Sequence, residues 1–141
     1  MSKCSIIIPH FNGENILYRC LNSIYNHTKQ KHEVIVVDNA SSDNSISMVK
    51  QKFPKTKIIS NKRNLGYAGA CNIGAEKSDT NFLVFLNNDT EVSKNWLEPL
   101  LESLKDKSVS SVQPKIKNML DKNFFDYAGA SGGYIDIFGY P

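Results

Sequence analysis

Residues 82–90 read FLVFLNNDT, a continuous apolar run that passes directly into polar residues. Such a run is typical of a strand buried on both faces of a parallel sheet, so we expect Asp89 at the carboxyl end of that strand. Asn87 and Asp89 are two positions apart and point to the same side of an extended backbone. One carboxylate completed by pyrophosphate oxygens and waters is an ordinary shell for Mg²⁺ or Mn²⁺. The same residues also suit a turn in which Asp89 or Thr90 caps a short helix.

Four further β-rich runs place this strand in an α/β fold. They cover residues 5–8, 34–37, 57–59 and 109–112, and apolar residues recur at helical spacing between them. The alternation predicts a mostly parallel, doubly wound sheet with helices on both faces, a Rossmann-like architecture. In such sheets ligands bind beyond the carboxyl ends of the strands, so the loops that follow the strands are the candidate sites.

The loops after the first two predicted strands carry aromatic and amide-bearing candidates. Phe11 could stack on a nucleobase, and a core position is the alternative. His10 is not nominated, because a lone loop histidine is usually neither a ligand nor a proton shuttle. Asp38 and Asn39 could hydrogen-bond a base or ribose, whereas the alternative is a turn in which residues 41–43 cap the next helix.

A Gly-rich segment, NLGYAGACNIG at residues 64–74, opens the predicted helix over residues 66–77. Its small side chains suit close packing on a sheet, and its amino end could help to hold a phosphate. The spacing of its glycines fits neither the dinucleotide-binding fingerprint nor the P-loop.

Composition narrows the class of protein. The 141 residues are 40% hydrophobic and 22% charged, which is an ordinary globular balance. A net charge of +3 with scattered basic residues argues against a nucleic-acid partner. Three widely spaced cysteines indicate reduced thiols in a cytosolic protein rather than a disulfide or zinc framework. The sequence contains no apolar run near the ~20 residues that a membrane-spanning helix needs.

Four stretches, taken in order, resemble family 2 glycosyltransferases of the GT-A fold. They are SIIIPHFN at residues 5–12, VVDNAS at 36–41, the Gly-rich segment at 64–74 and FLNNDT at 85–90. The resemblance covers about residues 3–115. The second and fourth stretches are most similar to the branch that includes rhamnosyltransferases of polysaccharide assembly.

The resemblance implies a UDP- or dTDP-sugar ligand and a Mn²⁺ or Mg²⁺ ion that Asp89 would hold on the diphosphate. The implied nucleotide-sugar contacts are Pro9, Phe11, Asp38, Asn39, Asn64, Gly66, Asn72, Asn87 and Asn88. The chain departs from the family pattern at three positions. Asn87 and Asn39 stand where many relatives have Asp, and Cys71 stands where many have Arg.

The implied activity is inverting transfer of the sugar to a saccharide or lipid-linked acceptor in polysaccharide or glycan synthesis. The expected location is cytoplasmic, with peripheral association at the inner face of the cell membrane as one option. Inversion needs a carboxylate that deprotonates the acceptor hydroxyl. The family carries that base on a later segment, so we expect it beyond Pro141 and nominate no catalytic residue. The oligomeric state is left open.

The sequence predicts a nucleotide-sugar-binding α/β domain over residues 1–117. Residues 118–141, rich in Gly and aromatic residues, are expected to begin an acceptor-side hairpin or flap in a chain truncated at its carboxyl terminus. The alternative function is a truncated, non-catalytic nucleotide-binding module of the same fold. An NAD-dependent oxidoreductase domain is disfavoured, because the first loop lacks the glycines that it needs.

Overall fold

The computed structural model describes residues 4–126. In chain order the elements are β1 (Cys4–His10), α1 (Glu14–His27), β2 (His32–Asp38), α2 (Ser45–Lys52), β3 (Lys57–Ser60), α3 (Gly66–Glu76), β4 (Phe82–Phe85) and α4 (Leu97–Ser103). The chain divides into two compact units, Met1–Lys94 and Asn95–Pro141. The four strands and the first three helices belong to the first unit.

The four strands form one parallel sheet in the order β3-β2-β1-β4. The chain therefore runs outward from β1 through β2 to β3 and then returns to the other side of β1 to form β4. We call the gap between the carboxyl ends of β1 and β4 the switch point, because the direction of strand addition reverses there. Open α/β sheets bind ligands at such points. The predicted parallel, doubly wound fold is confirmed.

The core of the first unit lies on both faces of β1, whose seven residues are all buried. On one face Ile7 and Ile35 form a cluster with Ala70 of α3. A Cβ atom added to Gly74 of α3 would lie 2.4 Å from Cγ2 of Ile7. The helix therefore lies directly on the sheet, as its small residues predict. Ile6 points to the opposite face, where right-handed crossovers place α1 and α2.

The start of α1 is capped by a residue from a different loop. Helix α2 follows Asn44 as its N-cap, so the predicted cap within residues 41–43 is displaced by one position. Asp43 Oδ1 accepts the N–H of Ser45 at 3.0 Å. Its Oδ2 accepts the N–H groups of Gly13 at 2.7 Å and Glu14 at 3.1 Å. Asp43 thus satisfies donors that α1 itself leaves unpaired.

The predicted strand at residues 109–112 is wrong, since the structure has no strand there. Asp106 closes a turn at the start of this segment by accepting the N–H of Val109 at 3.0 Å through its backbone carbonyl. A strand also needs a neighbouring strand to satisfy its backbone groups. In the described part of the second unit, the one isolated bridge joins Lys117 to Phe125 in antiparallel orientation. Most of the expected hairpin at residues 118–141 lies outside the described residues, so that prediction stays a prediction.

Across residues 4–126, each helix is too short or too polar to serve as a membrane span.

Candidate functional site

The loop after β1 presents an exposed aromatic ring on a fixed backbone. Pro9 is buried within β1, and Phe11, just past its end, is 51% exposed. Asn12 follows in a left-handed conformation, with φ of 54°. Its N–H donates to Ser41 Oγ at 2.9 Å, and its Oδ1 accepts the N–H of Ser42 at 2.9 Å. Phe11 is therefore an available stacking surface rather than a core residue.

Two buried polar residues at the end of β2, Asp38 and Asn39, form hydrogen bonds to other groups of the protein. Asp38 is 5% exposed and its Oδ1 accepts the N–H of Ser41 at 2.9 Å, which closes a turn. Asn39 is 4% exposed and donates from Nδ2 to the Gly66 carbonyl at 3.1 Å. Asn39 Oδ1 accepts from Asn61 Nδ2 at 2.9 Å. Asn39 Oδ1 also accepts the N–H of Leu65 at 3.5 Å, so only the second Nδ2 hydrogen of Asn39 is left for a ligand.

The bonds of Asn39 place the start of α3 at the same edge of the sheet. Asn64 Oδ1 accepts the N–H of Gly66 at 2.8 Å, and Gly66 has φ of 73°. A non-glycine side chain is strained at that angle, which explains the glycine. Asn72 is exposed and lies six residues into α3, about 9 Å along its axis from Gly66. The structure therefore brings Asn64 and Gly66 to the edge that Asn39 occupies and sets Asn72 further along the helix.

The segment after β4 forms a turn in which the Thr90 N–H donates to the Asn87 carbonyl at 3.2 Å. Asn87 and Asp89 are exposed, and Asn88 is half-buried. The carboxylate of Asp89 makes no hydrogen bond or ion pair with another residue of the described range. The next helix, α4, begins at Leu97, so neither Asp89 nor Thr90 caps a helix. The turn alternative is thus correct in shape, and the extended backbone predicted from Asn87 to Asp89 is wrong, because β4 ends at Phe85. The carboxylate of Asp89 remains available.

The base of this segment is fixed against α1. The Cys20 thiol donates to the Asn87 carbonyl at 3.7 Å. The Val92 N–H donates to Ser23 Oγ at 3.0 Å, and His27 Nδ1 lies 2.7 Å from the Val92 carbonyl. Burial raises the pKa of Cys20 to about 12, and the carboxylates of Asp89 and Glu91 add to that effect. The thiol therefore stays protonated and keeps its donor role at neutral pH.

His10, which sequence reasoning set aside, lies at the centre of this edge. It is the last residue of β1, is 2% exposed and pairs with Asp38 in the sheet register. Its Nδ1 lies 2.9 Å from Asn88 Nδ2 across the switch point. The local sequence carries no signal for this contact, since the partners are 78 positions apart.

Two surface depressions of about 290 and 310 Å³ lie at the other end of the first unit. They surround Tyr25 and Lys55, near the amino end of β2. The polar loops described above converge instead at the carboxyl ends of the strands. We therefore place the site at the carboxyl ends of the strands, where polar groups are free to bind a ligand.

The chemistry of the donor set decides which kind of metal site is compatible. In the stretch from residue 4 to residue 126, no three His, Cys, Asp or Glu side chains are grouped to hold a metal ion. A closed structural site needs four protein ligands, so it does not fit this stretch. Asp89, exposed and unpaired within the described stretch, fits Mg²⁺ or Mn²⁺, which take most of their ligands from phosphate and water.

The profile of the family described as Glycosyl transferase family 2 matches residues 5–132. The chain belongs to glycosyl transferase family 2. One family relative, an uncharacterized glycosyltransferase of Haemophilus influenzae, is 30% identical over 97% of this chain and 39% of its own length. The chain spans between 20% and 39% of the length of the first curated relatives that it matches.

Solved structures of glycosyltransferases share the fold. The crystal structure of S. aureus TarS 1-349 in complex with UDP superposes with a TM-score of 0.67 at 26% identity, over 74% of this chain and 32% of TarS. The mannosyltransferase PcManGT of Pyrobaculum calidifontis, solved with GDP-Man and Mn²⁺, gives a TM-score of 0.75 at 24% identity. It is matched over 86% of this chain and 37% of its own. The parallel sheet of this family 2 chain is therefore of the GT-A type.

Proposed function

We propose that this chain binds the nucleoside-diphosphate-sugar donor of a metal-dependent, inverting glycosyltransferase. Membership of family 2 supports glycosyl transfer in general. One observation carries the finer proposal: the exposed ring of Phe11 and the carboxylate of Asp89, which has no partner among residues 4–126, flank the switch point.

The register of the sheet supports this pairing of groups. Ile7 of β1 faces Phe85 of β4. Phe11 lies just past the end of β1 and Asp89 lies in the turn after β4, and adjacent strands lie about 4.8 Å apart. The residues directly before them, His10 and Asn88, are in contact. A nucleoside diphosphate offers a flat base to one of these groups and a charged diphosphate to the other.

The role proposed for each side chain follows from which of its groups is free to contact a ligand. Phe11 stacks on the face of the base, a contact worth about 1–3 kcal/mol. Asn87, exposed on the turn after β4, reaches the ribose. Asn39 contributes by holding Gly66 and the start of α3 in place beside the base. Pro9 and Asp38 shape the floor under the base, and Asn64, Asn72 and Asn88 complete the proposed contacts.

Asp89 holds the metal on the diphosphate. The divalent ion, when bound, stabilises the negative charge that develops on the leaving diphosphate. The carboxylate itself orients the diphosphate relative to the aromatic ring at the other side of the switch point. Inversion also requires a carboxylate base at the acceptor, and we assign that role to no residue of the described range.

The donor that we propose is a UDP- or dTDP-sugar. TarS was solved with UDP and PcManGT with GDP-Man, which supports a nucleoside-diphosphate donor, and the choice of uridine or thymidine rests on the resemblance in sequence. The acceptor that we propose is a saccharide or a lipid-linked saccharide of polysaccharide assembly, on the cytoplasmic side of the membrane. The rhamnosyltransferase-like branch remains part of this proposal and rests on the DNAS and NNDT stretches alone.

Binding of UDP, dTDP and GDP, measured by calorimetry with MnCl₂ and again with EDTA, tests the proposal. We expect UDP or dTDP to bind at least about tenfold more tightly with the metal, a gain of about 1.4 kcal/mol. UMP serves as the matched control, because it carries no diphosphate for the metal to bridge. Its affinity should change much less on addition of Mn²⁺.

Equal binding of UDP and dTDP in Mn²⁺ and in EDTA would refute the metal-dependent function. Metal-dependent binding without hydrolysis or transfer of a bound UDP-sugar would favour the alternative of a non-catalytic nucleotide-binding module. Turnover of a UDP-sugar by the 141-residue chain would exclude that alternative.

A further inference from the structure

The turn that carries Asp89 is connected to β1 by one side-chain contact across the switch point. His10 Nδ1 and Asn88 Nδ2 lie 2.9 Å apart. His10 ends β1, and Asn88 follows β4, its neighbour in the sheet. The contact therefore joins the two walls between which the donor is proposed to bind.

Because His10 is buried, few groups can bond its ring. The ring is 2% exposed, and its Nε2 has no hydrogen-bond partner among residues 4–126. A buried polar group without a partner costs about 1–3 kcal/mol. An aliphatic side chain would occupy the same space without that cost, so the distinguishing property of histidine here is its bond to Asn88.

The charge state of His10 is compatible with this bond. Burial lowers the pKa of His10 below its ordinary value of 6.5, and the carboxylates of Asp43 and Asp38 oppose this shift only in part. The ring is therefore neutral at pH 7 and above, so Nδ1 can accept the amide proton of Asn88 while Nε2 carries the ring proton.

The other contacts of the segment after β4 do not involve the side chain of Asn88, which is bonded to His10. Cys20 contacts the Asn87 carbonyl, Arg19 pairs with Glu91 at 3.7 Å, and Ser23 and His27 hold Val92, so α1 contacts the segment on both sides of Asn88 and Asp89. Asn88 is the residue directly before Asp89. Fixing the Asn88 side chain therefore restrains the backbone from which the free carboxylate projects.

We propose that His10 is a positioning residue that holds the Asp89-bearing turn in its metal-binding orientation through the bond to Asn88. The inference rests on the proposed function for its metal and diphosphate. It adds that the position of the Asp89 carboxylate, which serves the diphosphate, depends on the end of β1. That end lies next to the base-stacking Phe11. Side chains that support a metal ligand from behind typically change metal affinity about 10–100-fold when removed.

The test compares Asn88→Ala, His10→Ala and the double variant with Asn26→Ala as the control. Asn26 also uses its amide in a single side-chain bond, to Asn22 at 3.1 Å, but lies on the exposed surface of α1. For each protein the UDP dissociation constant in EDTA is divided by that in Mn²⁺. We call this ratio the metal-dependent gain in UDP affinity, or simply the gain. We expect Asn88→Ala to reduce that gain about tenfold. Loss of a direct contact between Asn88 and the nucleotide would lower the affinity in EDTA and in Mn²⁺ alike and so would leave the ratio unchanged.

The double variant should lose no more of the gain than either single variant, because both remove the same bond. His10→Gln retains an acceptor and should recover part of the gain lost in His10→Ala. If His10→Ala does not fold, Asn88→Ala decides the question, since Asn88 is half-buried and lies in a turn. A gain unchanged in Asn88→Ala would overturn the inference.

Amide exchange of Thr90 provides a readout that needs no ligand. Its N–H donates to the Asn87 carbonyl within the turn, so loss of the His10 anchor should accelerate its exchange in Asn88→Ala and not in Asn26→Ala. A wild-type chain without any metal-dependent gain would refute the proposed function, whatever Thr90 does. Unchanged Thr90 exchange in Asn88→Ala would refute the anchor itself.

Discussion

The loops after β2 and β4 look alike in sequence and differ in what their polar side chains do. Each follows a hydrophobic strand and carries adjacent Asp and Asn residues. After β2, the side chain of Asp38 is buried and closes a turn with Ser41, and the side chain of Asn39 is buried and bonded to the start of α3. After β4, Asp89 is exposed and its carboxylate has no partner among the residues that the structure describes.

This difference distinguishes residues that stabilise the loops of the site from residues that are free to contact a ligand. A side chain whose donors and acceptors are already satisfied gains little from a ligand, because each new bond replaces an existing one. A side chain that is exposed and unpaired keeps its full bonding capacity. Substitutions of Asp38 and Asn39 should therefore reduce stability first, and substitution of Asp89 should reduce ligand affinity alone.

Asp89→Ala is expected to have the largest effect and to act on binding only. Loss of the one carboxylate proposed for the metal should lower UDP affinity in Mn²⁺ about 100-fold, or about 2.7 kcal/mol. The melting temperature of the ligand-free protein should stay the same, since Asp89 has no bond to lose in the described range. Calorimetry and thermal unfolding measure the two quantities on the same sample.

Asp79→Ala is the matched control, because Asp79 is also an exposed aspartate but follows α3 at the opposite end of the sheet. A loss of UDP affinity in that variant equal to the loss in Asp89→Ala would show a general effect of charge. The comparison between the two loops would also fail if Asp89→Ala lowered the melting temperature.

Asn39→Ala should have the next largest effect and should act on stability. It leaves the Gly66 carbonyl and the Asn61 amide without the partners seen at 3.1 and 2.9 Å. We expect a loss of about 2 kcal/mol in the free energy of unfolding, measured by urea denaturation. UDP affinity should fall only to the extent that loss of these bonds displaces the start of α3.

Asn26→Ala, which removes an exposed amide, should change the unfolding free energy by less than about 0.5 kcal/mol. A similarly small effect of Asn39→Ala would contradict the structural role of the β2 loop.

Asp43→Ala should have the smallest effect of the three, with a defined pH dependence. Although desolvation by itself raises it, hydrogen bonds from Ser45, Gly13 and Glu14 lower the pKa of Asp43 to about 2. The ionised cap therefore stabilises the folded state fully above the ordinary pKa of 3.8, and that stability is lost as pH falls toward 2. Loss of such a cap costs about 1 kcal/mol at neutral pH.

Urea denaturation of wild type and Asp43→Ala at several pH values between 2 and 7 tests this expectation. The two proteins should differ at pH 5–7 and converge as pH approaches the folded-state pKa of about 2. A difference that stays constant down to pH 2 would show that the carboxylate charge is not involved.

Much of the fold follows from local pattern. Four of the five predicted strands are present, and the helix from Gly66 begins where its sequence predicts. The fifth strand failed because residues 109–112 had β-forming residues but no partner, and strand formation depends on pairing that a local pattern does not show. The predicted cap of α2 shifted by one position, to Asn44, and the carboxylate of Asp43, which lies beside α2 in sequence, also serves α1 in space.

The sequence by itself determined the parallel sheet and the position of its polar loops, because periodicity and the alternation of strands and helices are local properties that fix topology. The tertiary structure alone decided which of those polar groups remain free. Asn39 and Asp43 are engaged by other loops, whereas Phe11 and Asp89 are left exposed. Hydrogen-bond partners between loops depend on which strands are neighbours in space, and the contact of His10 with Asn88 across 78 positions is the clearest case.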